Sequence, residues 1–323
     1  MPFQTMPQRL AVIFMAALLA SGMAEAQVTK EEITAPSRHR GKEITLPAEA
    51  YFPDPTSQNL PAMVIWHDSG GLQNEHEYAY ARELVKLGVV AVIPDSFTPR
   101  GIKNTIIDQS QVNTPELSID AFRLLRKLQQ HPRIDPSRIG IMGFSKGATL
   151  AVGVSLNYYG KHFTNPKERY ALHVALYPNC STQYLDTKMI GGPLYMILGE
   201  ADTYTPMGPC VEFGEKLRAA GGRVEIFTLP KAKHSWDTGT RDWEITGDNF
   251  GGCILDQQSD LSFIERKSGI MVYGPGTVML PDQYAKAMKV CQTWRISGGP
   301  NAEATKRGKE LLREAMRLHL SSP

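Results

Sequence analysis

The sequence has 323 residues, 42% hydrophobic and 21% charged, a composition able to bury a large core. Its formal net charge of +2 gives no electrostatic case for a nucleic-acid or anionic-membrane partner. No internal repeat or low-complexity linker divides the chain, so one large α/β domain suits the length.

The N-terminus reads as a processing signal. Arg9 closes a short n-region, residues 10–20 are unbroken apolar sequence, and Ala24-Glu25-Ala26 is a small-x-small cleavage site. Residues 1–26 are therefore expected to be a signal peptide and 27–323 the folded chain, exported to periplasm or medium. A helix crossing a bilayer needs about 20 apolar residues, so this stretch predicts no stable membrane anchor. The four cysteines, Cys180, Cys210, Cys253 and Cys291, all lie in the mature part. In an exported chain an even number favours two disulfides, and no C-x-x-C spacing supports zinc.

Residues 42–52 should supply one or two antiparallel edge strands, and 62–66 a core strand. Residues 77–87 have helical spacing and stop at Gly88, a natural C-cap. The near-continuous β-branched run at 89–93 is the pattern of a strand covered on both faces. Residues 115–130 predict a helix, with Thr114 before its first turn and Leu117, Phe122, Leu124, Leu125 and Leu128 on one face. A buried strand at 139–142 and a buried helix from 148 follow. Strands come next at 171–177 and 194–198, then a helix at 210–220 and an alternating strand at 223–229. A long amphipathic helix at 303–320 closes the chain. Alternating strands and helices argue for a doubly wound, mainly parallel sheet. Cys180 follows one core strand and Cys210 the next, so both should meet at one sheet edge, leaving Cys253 to pair with Cys291. Residues 238–301 break the rhythm, with a hairpin expected around Lys267-Ser268-Gly269. They are either a structural excursion covering the sheet edge or a cap that shapes a pocket.

The chemistry concentrates where Gly143-Phe144-Ser145-Lys146-Gly147 joins strand to helix. A serine can stand at the tip of a strained turn only if its neighbours are too small to crowd the backbone, hence glycine two residues to either side. In this context G-x-S-x-G marks Ser145 as a nucleophile. Such a serine needs a base, and the base an orienting acid. Asp202 follows the strand ending at Leu198, and His234 the strand ending at Leu229, so both fall at the strand ends toward which the elbow points. Glu200 competes for the acid, and His67, His76 and His173 for the base. His173 lies inside a strand and reads as a core histidine, while His67 precedes the serine, against the usual Ser–acid–His order. One oxyanion donor should be the Lys146 amide, its side chain a solvated surface charge. The other should come from His67-Asp68-Ser69-Gly70-Gly71, at Ser69 or Gly70. Asp68 and Ser69 read equally well as turn formers.

Together the elbow, the Asp202 loop and the His234 loop resemble the dienelactone hydrolase family of the α/β-hydrolase fold. Pro94-Asp95-Ser96-Phe97-Thr98-Pro99-Arg100-Gly101 fits the same family. Tyr177-Pro178-Asn179-Cys180, with Thr205-Pro206 before Cys210, is similar to its exported members. The resemblance runs from about residue 61 to 236. It implies hydrolysis of a small-molecule carboxylic ester or lactone through an acyl-serine, with no metal or organic cofactor. The name-giving enzymes carry cysteine where this chain has Ser145, and a glutamate in the oxyanion loop that is absent here. They also place an arginine near the Arg100 position on a substrate carboxylate. That role stands for Arg100 beside the plainer one of a surface loop arginine. A peptidase or acyltransferase would use the same residues. The alternative from another class is a secreted binding or scaffold protein with this fold and no turnover.

Overall fold

Uninterrupted apolar runs build the centre of the molecule. The computed structural model describes residues 28–72, 75–163 and 168–321, so the expected signal peptide lies outside the described residues. In chain order come β1 (Thr29–His39), β2 (Lys42–Phe52), β3 (Leu60–Trp66), α1 (His76–Lys86), β4 (Val90–Pro94), α2 (Thr114–Gln129) and β5 (Ile134–Phe144). Then follow α3 (Lys146–Val154), α4 (Asn157–Phe163), β6 (Leu172–Leu176), β7 (Thr182–Gln183), β8 (Leu194–Gly199), α5 (Met207–Ala219) and β9 (Val224–Leu229).

The main sheet has the order β1-β2-β4-β3-β5-β6-β8-β9. Neighbours from β4 to β9 run parallel, while β1 and β2 are antiparallel additions at one edge. The expected doubly wound sheet is therefore present, and residues 42–52 form a single strand. Its outer partner β1 has no apolar alternation to announce it: of its residues only Ala35 and Ser37 are buried. In β4, by contrast, every residue is buried, as helices on both faces require. Leu311, Leu312 and Met316 of the last helix pack on one face with Met142, Leu172 and Val174, and α2 covers the other through Leu117, Leu124 and Leu128. Burying three such side chains contributes roughly 5–9 kcal/mol before conformational entropy is subtracted. Asn113, one residue earlier than expected, caps α2 in a reciprocal box with Glu116.

After β9 the chain leaves the sheet. It forms β10 (Trp243–Asn249), β11 (Leu255–Gln257), β12 (Phe263–Glu265), β13 (Ile270–Gly274), β14 (Val278–Met279), α6 (Pro281–Cys291) and β15 (Thr293–Gly298), before α7 (Ala302–His319). The hairpin expected near Gly269 joins β12 to β13, and Gly269 takes φ +68°. Strands β14-β13-β12-β11-β7 make a small second sheet, so residues from before and after β9 share it. Both expected disulfides are formed, Cys180–Cys210 and Cys253–Cys291. No helix among the described residues is long and apolar enough to cross a membrane.

Candidate active site

Strand β5 delivers the chain into a turn that only this sequence fits. Ser145 adopts φ 50° and ψ −108°, outside the ordinary regions for an L-residue. Its N–H is held by the Leu176 carbonyl at 3.0 Å. A Cβ on Gly143 would stand 2.3 Å from the Gly147 carbonyl carbon, and one on Gly147 would stand 2.4 Å from the Trp66 carbonyl oxygen. Any side chain at either position would push the serine out of the turn, which is the physical content of the G-x-S-x-G pattern.

The loops after β8 and β9 bring the other two residues to it. His234 Nε2 lies 3.0 Å from Ser145 Oγ, and His234 Nδ1 lies 2.7 Å from Asp202 Oδ2. Asp202 is fixed in turn by the N–H groups of Tyr204 and Thr205, each donating to Oδ1 at 2.8 Å, and by Thr205 Oγ1 donating to Oδ2 at 2.9 Å. The competing Glu200 is exposed. A carboxylate held by this many donors presents its remaining lone pairs to the imidazole in one orientation.

The other histidines are engaged elsewhere. His173 is fully buried in β6, and desolvation pushes it down to about 4, which keeps it neutral in the core. His67 lies 2.8 Å from Ser96 Oγ, and burial lowers its pKa. His76 Nε2 is 3.0 Å from Asp237 Oδ2. Asp237 also accepts from Tyr80 Oη at 2.6 Å and Tyr177 Oη at 2.8 Å. The Tyr177 ring then packs edge-on against His234, centroids 4.9 Å apart.

Two expectations about charged side chains need correction. Lys146 is not a solvated surface charge. Its ammonium donates to the Gln109 carbonyl at 3.2 Å and to Gln109 Oε1 at 3.0 Å, and desolvation pushes it down to about 8. Arg100 is neither a pocket residue nor a surface one. Its guanidinium is fully buried, 2.8 Å from Asp120, and also donates to the Ser96 carbonyl at 2.7 Å. Burial pushes Asp120 up to about 6 despite that partner.

In the loop expected to supply an oxyanion donor, the Gly70 N–H donates to Asp68 Oδ1 at 2.7 Å, which leaves Ser69 as the stronger of the two candidates. Ser69 is tied to a residue that the sequence did not single out. Gln109 Nε2 donates to Ser69 Oγ at 3.1 Å and to Tyr204 Oη at 3.0 Å, so one carboxamide joins the oxyanion loop, the elbow lysine and the acid loop. The Tyr204 ring packs edge-on on His234, centroids 4.8 Å apart. Nothing local marks Gln109 in the sequence, whereas Thr205, three residues past an acid that starts a turn, carried a signal that could have been read. In front of Ser145 opens a cleft of about 1180 Å³, bounded by Ser69, Lys146 and Tyr204 on one side and by residues of β13, α6 and β15 on the other.

Residues 48–249 match the model of the dienelactone hydrolase family. A putative carboxymethylenebutenolidase of Synechocystis sp. is 22% identical over 215 residues, which cover 60% of this chain and 85% of that protein. Among solved structures, a putative dienelactone hydrolase from Klebsiella pneumoniae subsp. pneumoniae MGH 78578 superposes with TM-score 0.51 at 23% identity, covering 65% of this chain and 89% of that one. A dienelactone hydrolase-like promiscuous phosphotriesterase from metagenomic libraries gives 0.50 at 16%, covering 65% and 85%. At such identities the superpositions speak for the α/β-hydrolase fold alone. The matched segment is well over half of the sequence and holds Ser145, Asp202 and His234, and the chain belongs to the dienelactone hydrolase family.

Proposed function

We propose that the protein hydrolyses carboxylic esters through an acyl-serine intermediate. Ser145 Oγ attacks the acyl carbon while His234 Nε2 takes its proton, and Asp202 holds the imidazole in the tautomer that leaves Nε2 free to accept. Charge developing on the carbonyl oxygen is met by the N–H groups of Lys146 and Ser69. The tetrahedral adduct collapses by breaking the bond to the alcohol oxygen, which leaves with the proton from His234. Water then adds to the acyl-serine with His234 again as base, and the acid is released. No step calls for a metal or organic cofactor. In this reading residues 238–301 act as a cap on the cleft. The reading also includes export, supported by the apolar stretch and small-x-small site before Gln27 and by two disulfides of the kind that persist in oxidising compartments.

The observation that carries the reading is the pair of contacts from one imidazole, 3.0 Å to Ser145 Oγ and 2.7 Å to Asp202. Ester turnover should fall by about 10⁴-fold or more in Ser145→Ala, since members of such a unit fail together. Covalent labelling by a fluorophosphonate should disappear in the same variant. A folded wild-type protein that neither turns over p-nitrophenyl esters nor accepts the label would overturn the proposal and favour a binding role.

A further inference from the structure

The cleft is larger and more aromatic than the attack on a small ester requires. At about 1180 Å³ it exceeds the range of about 300–1,000 Å³ usual for a drug-sized ligand, and a short acyl chain would leave most of it to water. Away from Ser145 its lining includes the rings of Tyr159, Tyr184, Phe250, Tyr273, Tyr284 and Trp294. The Tyr159 and Tyr184 hydroxyls are bonded to each other at 2.6 Å, which fixes the two rings relative to one another. Trp294 is 61% exposed on the rim, where its ring is open to a ligand in the cleft. Four of the six stand beyond residue 249, outside the segment matched to the family, so this wall belongs to the chain's own cap. The wall is preformed. The Cys253–Cys291 disulfide clamps it, Leu255 and Asp256 pair with Thr182 and Gln183, and Arg266 bridges Glu212 and Asp256.

Charge in the cleft is balanced. Its ionisable lining consists of Asp108 and Asp248 against Lys146 and Lys289. The Lys146 ammonium is already met by two oxygens of Gln109, and Asp248 accepts from Gln292 at 2.9 Å. Arg100, sealed against Asp120, lies away from the cleft. With two carboxylates against two ammonium groups, the net charge of the lining does not select an anionic substrate.

We propose that the substrate is an uncharged ester bearing a bulky aromatic group, held between Ser145 and the cap wall formed by Phe250, Tyr273, Tyr284 and Trp294. The proposal rests on the ester-hydrolase reading above. Offset and edge-on contacts with these rings would bind such a group without demanding charge complementarity.

The test compares ethyl 3-(2-naphthyl)propanoate and 2-naphthylmethyl acetate with ethyl acetate by pH-stat, because all three have alkyl acyl and alkoxy carbons of similar intrinsic reactivity. At least one naphthyl ester should exceed ethyl acetate in kcat/KM by about tenfold or more, and a ring carboxylate on it should remove about as much. In Tyr284→Ala and Trp294→Ala the naphthyl-to-ethyl ratio should fall by about fivefold. Equal rates for all esters, faster hydrolysis of the carboxylate, or an unchanged ratio in both variants would overturn the proposal. Should no ester be turned over while Ser145 still takes the fluorophosphonate, slowing of that labelling by 2-naphthamide but not by 2-naphthoate supports the proposal, and the reverse refutes it. Absence of labelling in folded wild type removes the hydrolase reading itself, and this proposal with it.

Discussion

Gln109 is the residue whose replacement most directly tests whether the site is positioned from outside its three reacting side chains. Gln109→Ala deletes the bonds from Nε2 to Ser69 Oγ and Tyr204 Oη and one of the two Gln109 oxygens that accept from the Lys146 ammonium. A neutral hydrogen bond is worth a net 0.5–1.5 kcal/mol, so the two Nε2 bonds together amount to about 1–3 kcal/mol. If they hold the oxyanion loop and the ring beside His234 in working geometry, that energy enters the barrier and lowers kcat by about 5- to 150-fold. KM should move less than kcat, because the loss is felt where charge develops rather than where the substrate rests. Gln109→Glu keeps an acceptor for Lys146 and should recover part of the loss. Tyr204→Phe removes the far end of one bond, and the double variant should be barely worse than Gln109→Ala alone, a coupling of about 1 kcal/mol. The assay is steady-state ester hydrolysis, with thermal unfolding run in parallel. A well-folded Gln109→Ala with kcat within about twofold of wild type, or losses that simply multiply in the double variant, would refute the argument.

Arg100→Ala should destabilise the fold by about 3–5 kcal/mol, because it leaves Asp120 buried without its cation, while kcat/KM of the molecules still folded stays within about twofold. Urea unfolding and ester kinetics on the same sample read both, and an intact midpoint with a raised KM would restore a substrate role to Arg100. Glu77 gives a pH prediction: burial pushes its carboxyl from 4.5 up to about 7, so the folded chain keeps a proton that the unfolded chain has released. Its contribution is full below pH 4.5 and is lost as pH rises through 7, so Glu77→Gln should match wild type near pH 5 and be up to about 3 kcal/mol more stable at pH 8. Urea midpoints of the two proteins that stay parallel across that range would show that Glu77 is ionised in the fold.

Residues whose role is set by their neighbours in the chain are legible from the amino-acid sequence alone. The elbow is local: strand, two glycines and helix lie within one short segment, and the clash distances at Gly143 and Gly147 explain why the pattern is so specific. Asp202 and His234 are legible because parallel strands end on the same side, so chain order translates into position. Cys180–Cys210 follows from the same logic, and Cys253–Cys291 is what then remains. The misread side chains are those whose environment is made by distant residues. Arg100 sits in a loop, and nothing near it announces Asp120 of α2 as its partner. Lys146 is covered by Gln109, 37 residues earlier, and β1 lacks an apolar pattern because most of its side chains stay at least partly exposed.

The histidines show most clearly what sequence order leaves open. Among the described residues are two buried His–Asp pairs, His234 with Asp202 and His76 with Asp237, and Tyr177 touches both, through its ring on one side and its hydroxyl on the other. What separates them is the occupation of Nε2. In His76 that atom is bound to the carboxylate itself, and the ring packs at a tilt against Phe144, centroids 4.0 Å apart. Burial opposes protonation of His76, yet the Asp237 charge and hydrogen bond outweigh it and raise its pKa. The pair holds the Tyr177 hydroxyl, and the Tyr177 ring in turn packs on His234. In His234 the carboxylate takes Nδ1 and leaves Nε2 turned toward Ser145 Oγ. The same two residue types therefore differ in which nitrogen the acid occupies, a choice that in His234 leaves Nε2 free for the proposed proton transfer. That choice depends on bringing residues 76 and 237 together across 161 positions of sequence.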